Sequence, residues 1–301
     1  MRSFPTGIEP IGKRAMQKQR YPSFRTVLER GDILRAAGAH DALGAVLAQE
    51  SGFQAVWSSS FEVSAARCLP DASLLTMTEY LEAAAAMQKA LSVPVVADCD
   101  TGYGNSLNVA HMVHEYERAG ITAVCLEDKI FPKMNSFAEA EQQLLPAPAF
   151  AHKIETAKNA QSDADFFVIA RTEALIAGLP VQEALARCHA YVDAGADAVL
   201  IHSKAKTKDQ VLEFLEQWDR RRPVVVVPTT YPDWHVDDAA QAGVSVVIYA
   251  NQGLRATVSS LRHTFRSIYE TGNSTALEGS IASVSDVFSL QRLADWQKLE
   301  A

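Results

Sequence analysis

The residues best suited to chemistry lie between positions 98 and 137. There the chain reads D-C-D-T-G-Y-G-N, then a helical segment, then L-E-D-K-I-F-P-K-M-N-S-F. Asp98, Asp100 and Glu127 close two successive strand-like runs, and a polar loop with Lys129, Lys133 and Asn135 follows. Three carboxylates without a His or Cys beside them form a hard oxygen donor set, suited to Mg²⁺ or Mn²⁺ rather than Zn²⁺. Because Mg²⁺ keeps several waters, some of these acids are expected to hold metal-bound water. Arg171 and His202 end two later apolar runs; a guanidinium fork and a ring donor facing a divalent cation would complete an anion site. The run Ser58, Ser59, Ser60 offers hydroxyls and backbone N–H groups to a carboxylate at another strand end.

These groups need a scaffold that gathers strand ends. Short apolar, β-branched runs over residues 33–39, 55–59, 95–100, 123–127, 166–171, 198–202, 224–228 and 244–249 alternate with segments of helical period. The helical segments include 77–91, 107–119, 181–194, 210–218 and 254–270, and several end at an Ala-Gly pair, where Gly120, Gly195 and Gly243 would cap in the left-handed region. Eight β/α units whose strands are apolar on both faces predict a closed parallel (β/α)₈ barrel. A doubly wound sheet fits less well, because no G-x-G-x-x-G follows the first strand. Catalytic groups of such barrels sit at the C-terminal strand ends. There the chain places His40-Asp41, the serine run, Asp98 and Asp100, Glu127-Asp128, Arg171 and Glu173, His202-Ser203-Lys204, Thr229-Thr230 and Asn251. His111, His114, His152, His189, His235 and His263 lie away from this rim and receive no role.

The chain has 301 residues, 48% hydrophobic and 21% charged, with a formal charge of −8. One barrel domain accounts for that length: an N-terminal extension over 1–25 and a barrel domain over 26–301. The domain includes a C-terminal helical extension over 284–299, whose apolar stripe (Phe288, Leu290, Leu293, Trp296) calls for a covering surface, expected on another subunit. The negative charge argues against nucleic acid and a polybasic membrane anchor. No apolar run approaches the roughly 20 residues of a span, and residues 1–20 lack a signal-peptide core. A cytoplasmic location is expected. The four cysteines show neither a disulfide framework nor zinc spacing, and most are expected to be buried thiols.

In this order the residues resemble the phosphoenolpyruvate mutase and isocitrate lyase superfamily over roughly residues 30–295. The loop E-D-K-I-F-P-K-M-N-S, residues 127–136, looks like the E-D-K-(five residues)-N-S signature of its mutase branch; the K-K-C-G-H loop of the lyase branch is absent. The resemblance implies a Mg²⁺ cofactor, with Mn²⁺ as a substitute, and an α-keto acid enolate. Asp98 would be the direct ligand, and Asp100 and Glu127 would anchor its waters. It also implies Asp71, in L-P-D-A-S, as the catalytic aspartate. Trp57, Ser59, Ser60 and the Phe61 N–H would lie around the pyruvyl carboxylate, Arg171 and His202 on the transferring group, and Lys133, Asn135 and Ser136 on a gating loop. Whether Asp71 carries the phosphoryl group or only positions it stays open.

The implied reaction is interconversion of phosphoenolpyruvate and phosphonopyruvate, the phosphorus–carbon bond formation that opens phosphonate biosynthesis, by a homo-oligomer, a dimer or tetramer. The alternative is hydrolysis of phosphonopyruvate to pyruvate and phosphate, which Phe61-Glu62, Pro70-Asp71-Ala72 and the V-P-T-T-Y-P run also fit. Asn135 favours the mutase, since the hydrolase typically has Thr there. Ser60 departs from the Gly usual in both. A third reading is a barrel kept as a non-catalytic binding protein, against which the intact acid set stands.

Overall fold

The computed structural model describes residues 21–300. Eight parallel strands close on themselves: β1 (Leu34–Ala39), β2 (Ala55–Ser58), β3 (Val95–Asp98), β4 (Ala123–Glu127), β5 (Phe167–Thr172), β6 (Ala198–Ile201), β7 (Val224–Val226) and β8 (Val246–Tyr249). Each pairs with the next, and β8 pairs with β1 through Leu34↔Val246 to Ala37↔Tyr249, so the expected (β/α)₈ barrel is present. The helices are α1 (Phe24–Leu28), α2 (Ala42–Glu50), α3 (Ser60–Ala66), α4 (Met77–Ala90), α5 (Ser106–Arg118), α6 (Ala147–Ala160), α7 (Val181–Asp193), α8 (Asp209–Gln217), α9 (Val236–Ala242), α10 (Gln252–Thr271), α11 (Val284–Leu290) and α12 (Leu293–Gln297). Residues 1–20 of the expected N-terminal extension lie outside the described residues.

Strand periodicity explains why the runs are apolar nearly throughout, with an exposed Arg35 in β1 as the exception. Alternate residues Ala36, Trp57, Val96, Cys125, Ile169, Leu200, Val225 and Ile248 share one buried cluster inside the barrel, joined by Phe24 and Val27 of α1. Their neighbours Val56, Ala97, Val124, Leu126, Val168 and Ala170 belong to a second cluster with side chains of α4, α5 and α6. Gly120, Gly195 and Gly243 follow α5, α7 and α9 with φ of 86, 102 and 104°, as left-handed caps.

Two boundaries differ from the sequence reading for physical reasons. β3 stops at Asp98, because Asp100 turns the chain with φ 48°. The C-terminal segment is two helices rather than one: Arg292 adopts φ 56°, and its guanidinium closes on Asp295 at 2.9 Å. Residues 22–255 form one compact unit, and the remaining described residues belong to a second. Cys99, Cys125 and Cys188 are buried free thiols, whereas Cys68 is exposed.

Candidate active site

The turn after β3 sets the acids. Gly102 (φ 82°) has no room for a side chain, since a Cβ would stand 2.5 Å from Val109 Cγ2, and Asn105 then caps α5 with its side chain on the N–H groups of Leu107 and Asn108. D-C-D-T-G-Y-G-N is therefore a tight turn that leaves Asp98 and Asp100 at the barrel mouth. Beside it, Ser59 caps α3 by accepting from the Glu62 N–H, which leaves the Phe61 N–H in the first turn without a helical acceptor. Ser60 donates to Asp98 Oδ2 through its hydroxyl at 2.8 Å and its N–H at 3.4 Å. Burial raises the pKa of Asp98. Burial also pushes Asp100 up to about 7, aided by neighbouring acids and opposed by Lys133.

E-D-K serves three directions. Glu127 ends β4 opposite Arg171 of β5, with its Oε2 3.3 Å from Arg171 Nε. Asp128 turns into the helix layer and accepts from Tyr191 (2.7 Å), Thr172 (2.9 Å), the Glu173 N–H (2.8 Å) and Arg187 (3.2 Å). Lys129 enters the loop over residues 129–145, donating to Met134 O at 2.9 Å and Ser136 Oγ at 2.8 Å.

The base of that loop is stitched by an antiparallel bridge between Lys129 and Leu144, and its Lys129, Lys133 and Ser136 side chains are buried. Lys133 Nζ lies 2.8 Å from Asp100, 3.0 Å from Asp71 and 3.2 Å from Ser60 Oγ, while Asn135 Nδ2 donates to Asp71 Oδ2 at 2.8 Å. Burial pushes the Asp71 carboxyl up, but Lys133 and Asn135 outweigh it and hold it below its usual value. Burial also opposes the charge on Lys133, yet Asp100 and Asp71 keep its ammonium well above the usual range. Lys133 and Asp71 are thus a charged, buried pair.

Across the mouth, Arg171 Nε donates to Glu173 at 2.6 Å, and its Nη2 reaches Ser136 Oγ (3.2 Å) and His202 Nδ1 (2.9 Å). Ser136 donates to Glu173, which also pairs with Lys129 at 3.1 Å and lies 3.0 Å from His202 Nδ1. Burial, reinforced by Arg171, lowers the His202 pKa, so the ring is neutral. Its Nε2 is buried without a hydrogen-bond partner, and the Phe137 ring stands edge-on to the imidazole at 5.6 Å.

These groups surround one cavity of about 350 Å³, within the range of small-molecule sites. Trp57, Ser59, Ser60, Phe61, Asp71, Asp98, Lys133, Asn135, Ser136, Arg171 and His202 all line it. Asp100 and Glu127 do not, and touch it only through Lys133 and Arg171. Sequence reasoning placed Glu173 at a strand end but gave it no role; it is the buried acid that joins Arg171, His202, Lys129 and Ser136. Phe137 and Ala138 also line the cavity, as do Thr229 and Asn251, which had been noted only as strand-end polar groups.

Asp100 Oδ2 and both Glu127 oxygens are buried without a hydrogen-bond donor, which a hard hydrated cation would satisfy. Among the described residues, no three acidic, His or Cys side chains stand grouped for direct metal ligation.

The family model described as phosphoenolpyruvate phosphomutase matches residues 24–269. The chain belongs to that family. The chain is an enzyme of that family. It is 44% identical over 271 residues to phosphonopyruvate hydrolase of Variovorax sp. (strain Pal2), covering 89% of this chain and 93% of that one. It resembles the crystal structure of phosphoenolpyruvate phosphomutase from Streptomyces platensis subsp. rosaceus with TM-score 0.91 and 52% identity, over 92% and 96% of the two chains. A structure of phosphonopyruvate hydrolase in complex with oxalate and Mg²⁺ gives TM-score 0.87 and 42% identity, over 92% and 96%.

Proposed function

We propose that this phosphomutase-family enzyme interconverts phosphoenolpyruvate and phosphonopyruvate. The observation that carries the reading is the carboxamide of Asn135 on Asp71, with the Lys133 ammonium closing the other side of the same carboxylate. In the forward direction the bond from phosphorus to the enol oxygen breaks, pyruvate is left as its enolate, and C3 of that enolate takes the phosphoryl group. No water enters, and the atoms of substrate and product are the same.

Three sets of side chains divide the work. The Phe61 N–H and Ser59, at the start of α3, receive the pyruvyl carboxylate. Arg171, held in orientation by Glu173 and Glu127, faces the phosphoryl oxygens with a fixed fork. His202 assists it: its Nδ1 lies 2.9 Å from Arg171 Nη2 and 3.0 Å from Glu173 Oε1, which fixes the ring beside the guanidinium. Asp71, ionised beside Lys133 and Asn135, faces the phosphoryl group as its acceptor or guide. Loop residues 129–145, docked through Lys133 and Asn135, keep bulk water out during transfer.

Asp98, with Asp100 and Glu127 through water, would hold Mg²⁺, which supplies stabilisation of the negative charge that develops on the enolate. The orphaned oxygens of Asp100 and Glu127 and the Mg²⁺ complex of the related hydrolase support this donor set. The exposed apolar stripe on α10 supports a homo-oligomer. Phosphorus NMR of phosphonopyruvate incubated with enzyme and Mg²⁺ tests the reading: a phosphoenolpyruvate signal is expected, and phosphate as the sole phosphorus product would overturn it in favour of hydrolysis.

A further inference from the structure

Ser60 is 1% exposed, and its hydroxyl lies between two groups distant in sequence. Oγ is 2.8 Å from Asp98 Oδ2, on the barrel rim, and 3.2 Å from Lys133 Nζ, on the loop. The ammonium has three donors and no lone pair, so the hydroxyl accepts from Lys133 and its one proton goes to Asp98. An Ala or Gly at this position could make neither bond. The helix itself needs neither, because Ser59 provides the cap of α3. The bridge therefore serves the site rather than the fold.

We propose that Ser60 is a positioning residue that ties Asp98 to Lys133 and so couples the rim acid to the docked state of residues 129–145. Its relevance to catalysis rests on the reaction proposed above; its effect on the loop does not. Lys133 keeps Asp71 and Asp100 without Ser60, so the bridge is one of several ties and its loss loosens the loop without releasing it. At 3.2 Å, from an ammonium shared with two carboxylates, the bond counts as an ordinary one, which changes an opening equilibrium by about two- to tenfold.

The test is hydrogen exchange followed by mass spectrometry on the full chain without substrate, comparing wild type, Ser60→Ala, Lys133→Met and the double variant. Ser60→Ala is expected to speed exchange of the amides over 130–137 about two- to tenfold, with exchange in the barrel strands unchanged. In the Lys133→Met background the same substitution is expected to add nothing, because the partner it acts through is gone. Unchanged loop exchange in Ser60→Ala would overturn the proposal. So would equal acceleration with and without Lys133, the signature of a merely structural change. If Ser60→Ala disturbs the barrel strands, Ser60→Gly gives the same comparison. Steady-state kinetics adds a separate reading: KM is expected to rise more than kcat falls. Failure of the enzyme to turn over phosphoenolpyruvate or phosphonopyruvate would remove the proposed reaction and leave the exchange result standing.

Discussion

At the scale of single residues, the account turns on Asn135 and His202. Asn135 donates to Asp71 from a loop otherwise anchored by lysines, so Asn135→Ala is expected to lower mutase kcat about 100-fold, the usual effect of deleting one donor aimed at developing charge. Part of the remaining turnover should appear as phosphate; an unchanged rate and product would show that the carboxamide has no part in the transfer. For His202, the folded pKa lies below the usual 6.5, so the unfolded chain takes up this proton first as pH falls. Its contribution to stability is complete above about 6.5 and is lost as pH drops through that value towards the folded-state pKa. Denaturation curves should lose stability less steeply below 6.5 in His202→Asn than in wild type. An imidazole NMR titration of the wild type should give a midpoint below 6.5, and a midpoint above 6.5 would contradict the reading. Asp98, Glu127, Arg171 and His202 were legible in the sequence because each ends an apolar run or lies just beyond its end. Glu173 was visible at such an end, but its role was not: contacts with Lys129, Ser136 and His202 depend on β5 and β6 standing side by side with the loop folded over them.

Among the elements, the eight strands could be read to within a residue or two, since their faces are largely covered and Arg35 in β1 is the one exposed interruption. What could not be read is how the 129–145 loop sits. Its docking depends on Lys133 and Asn135 meeting Asp71, more than 60 positions earlier, and no local pattern encodes that meeting. The break at Arg292 was equally hidden, because left-handed backbone at a residue other than glycine leaves no compositional mark. Helix α10 poses its own question. Val258, Leu261, Phe265 and Ile268 recur at helical spacing and are exposed, Phe265 at 62%, and α10 has no buried residue. A second copy of the chain is the proposed cover. Phe265→Asp should then shift sedimentation from oligomer towards monomer, and a wild-type monomer, or a variant that sediments unchanged, would remove the argument.

For the whole molecule, a chain of net charge −8 gathers Lys129, Lys133 and Arg171 at one end of its barrel, but pairs them with Glu173, Asp71, Asp100 and Glu127, so a small anion there depends on the proposed Mg²⁺ to offset those acids. No described helix is long and apolar enough to cross a membrane. The barrel and the family establish the class of chemistry, while the fate of the phosphoryl group depends on a few side chains around Asp71. Phosphorus NMR on the enzyme with phosphonopyruvate and Mg²⁺ in ¹⁸O-labelled water tests this most directly. The account predicts phosphoenolpyruvate with no label on its non-bridging phosphoryl oxygens as the main product; inorganic phosphate carrying one ¹⁸O, with no phosphoenolpyruvate formed, would contradict it.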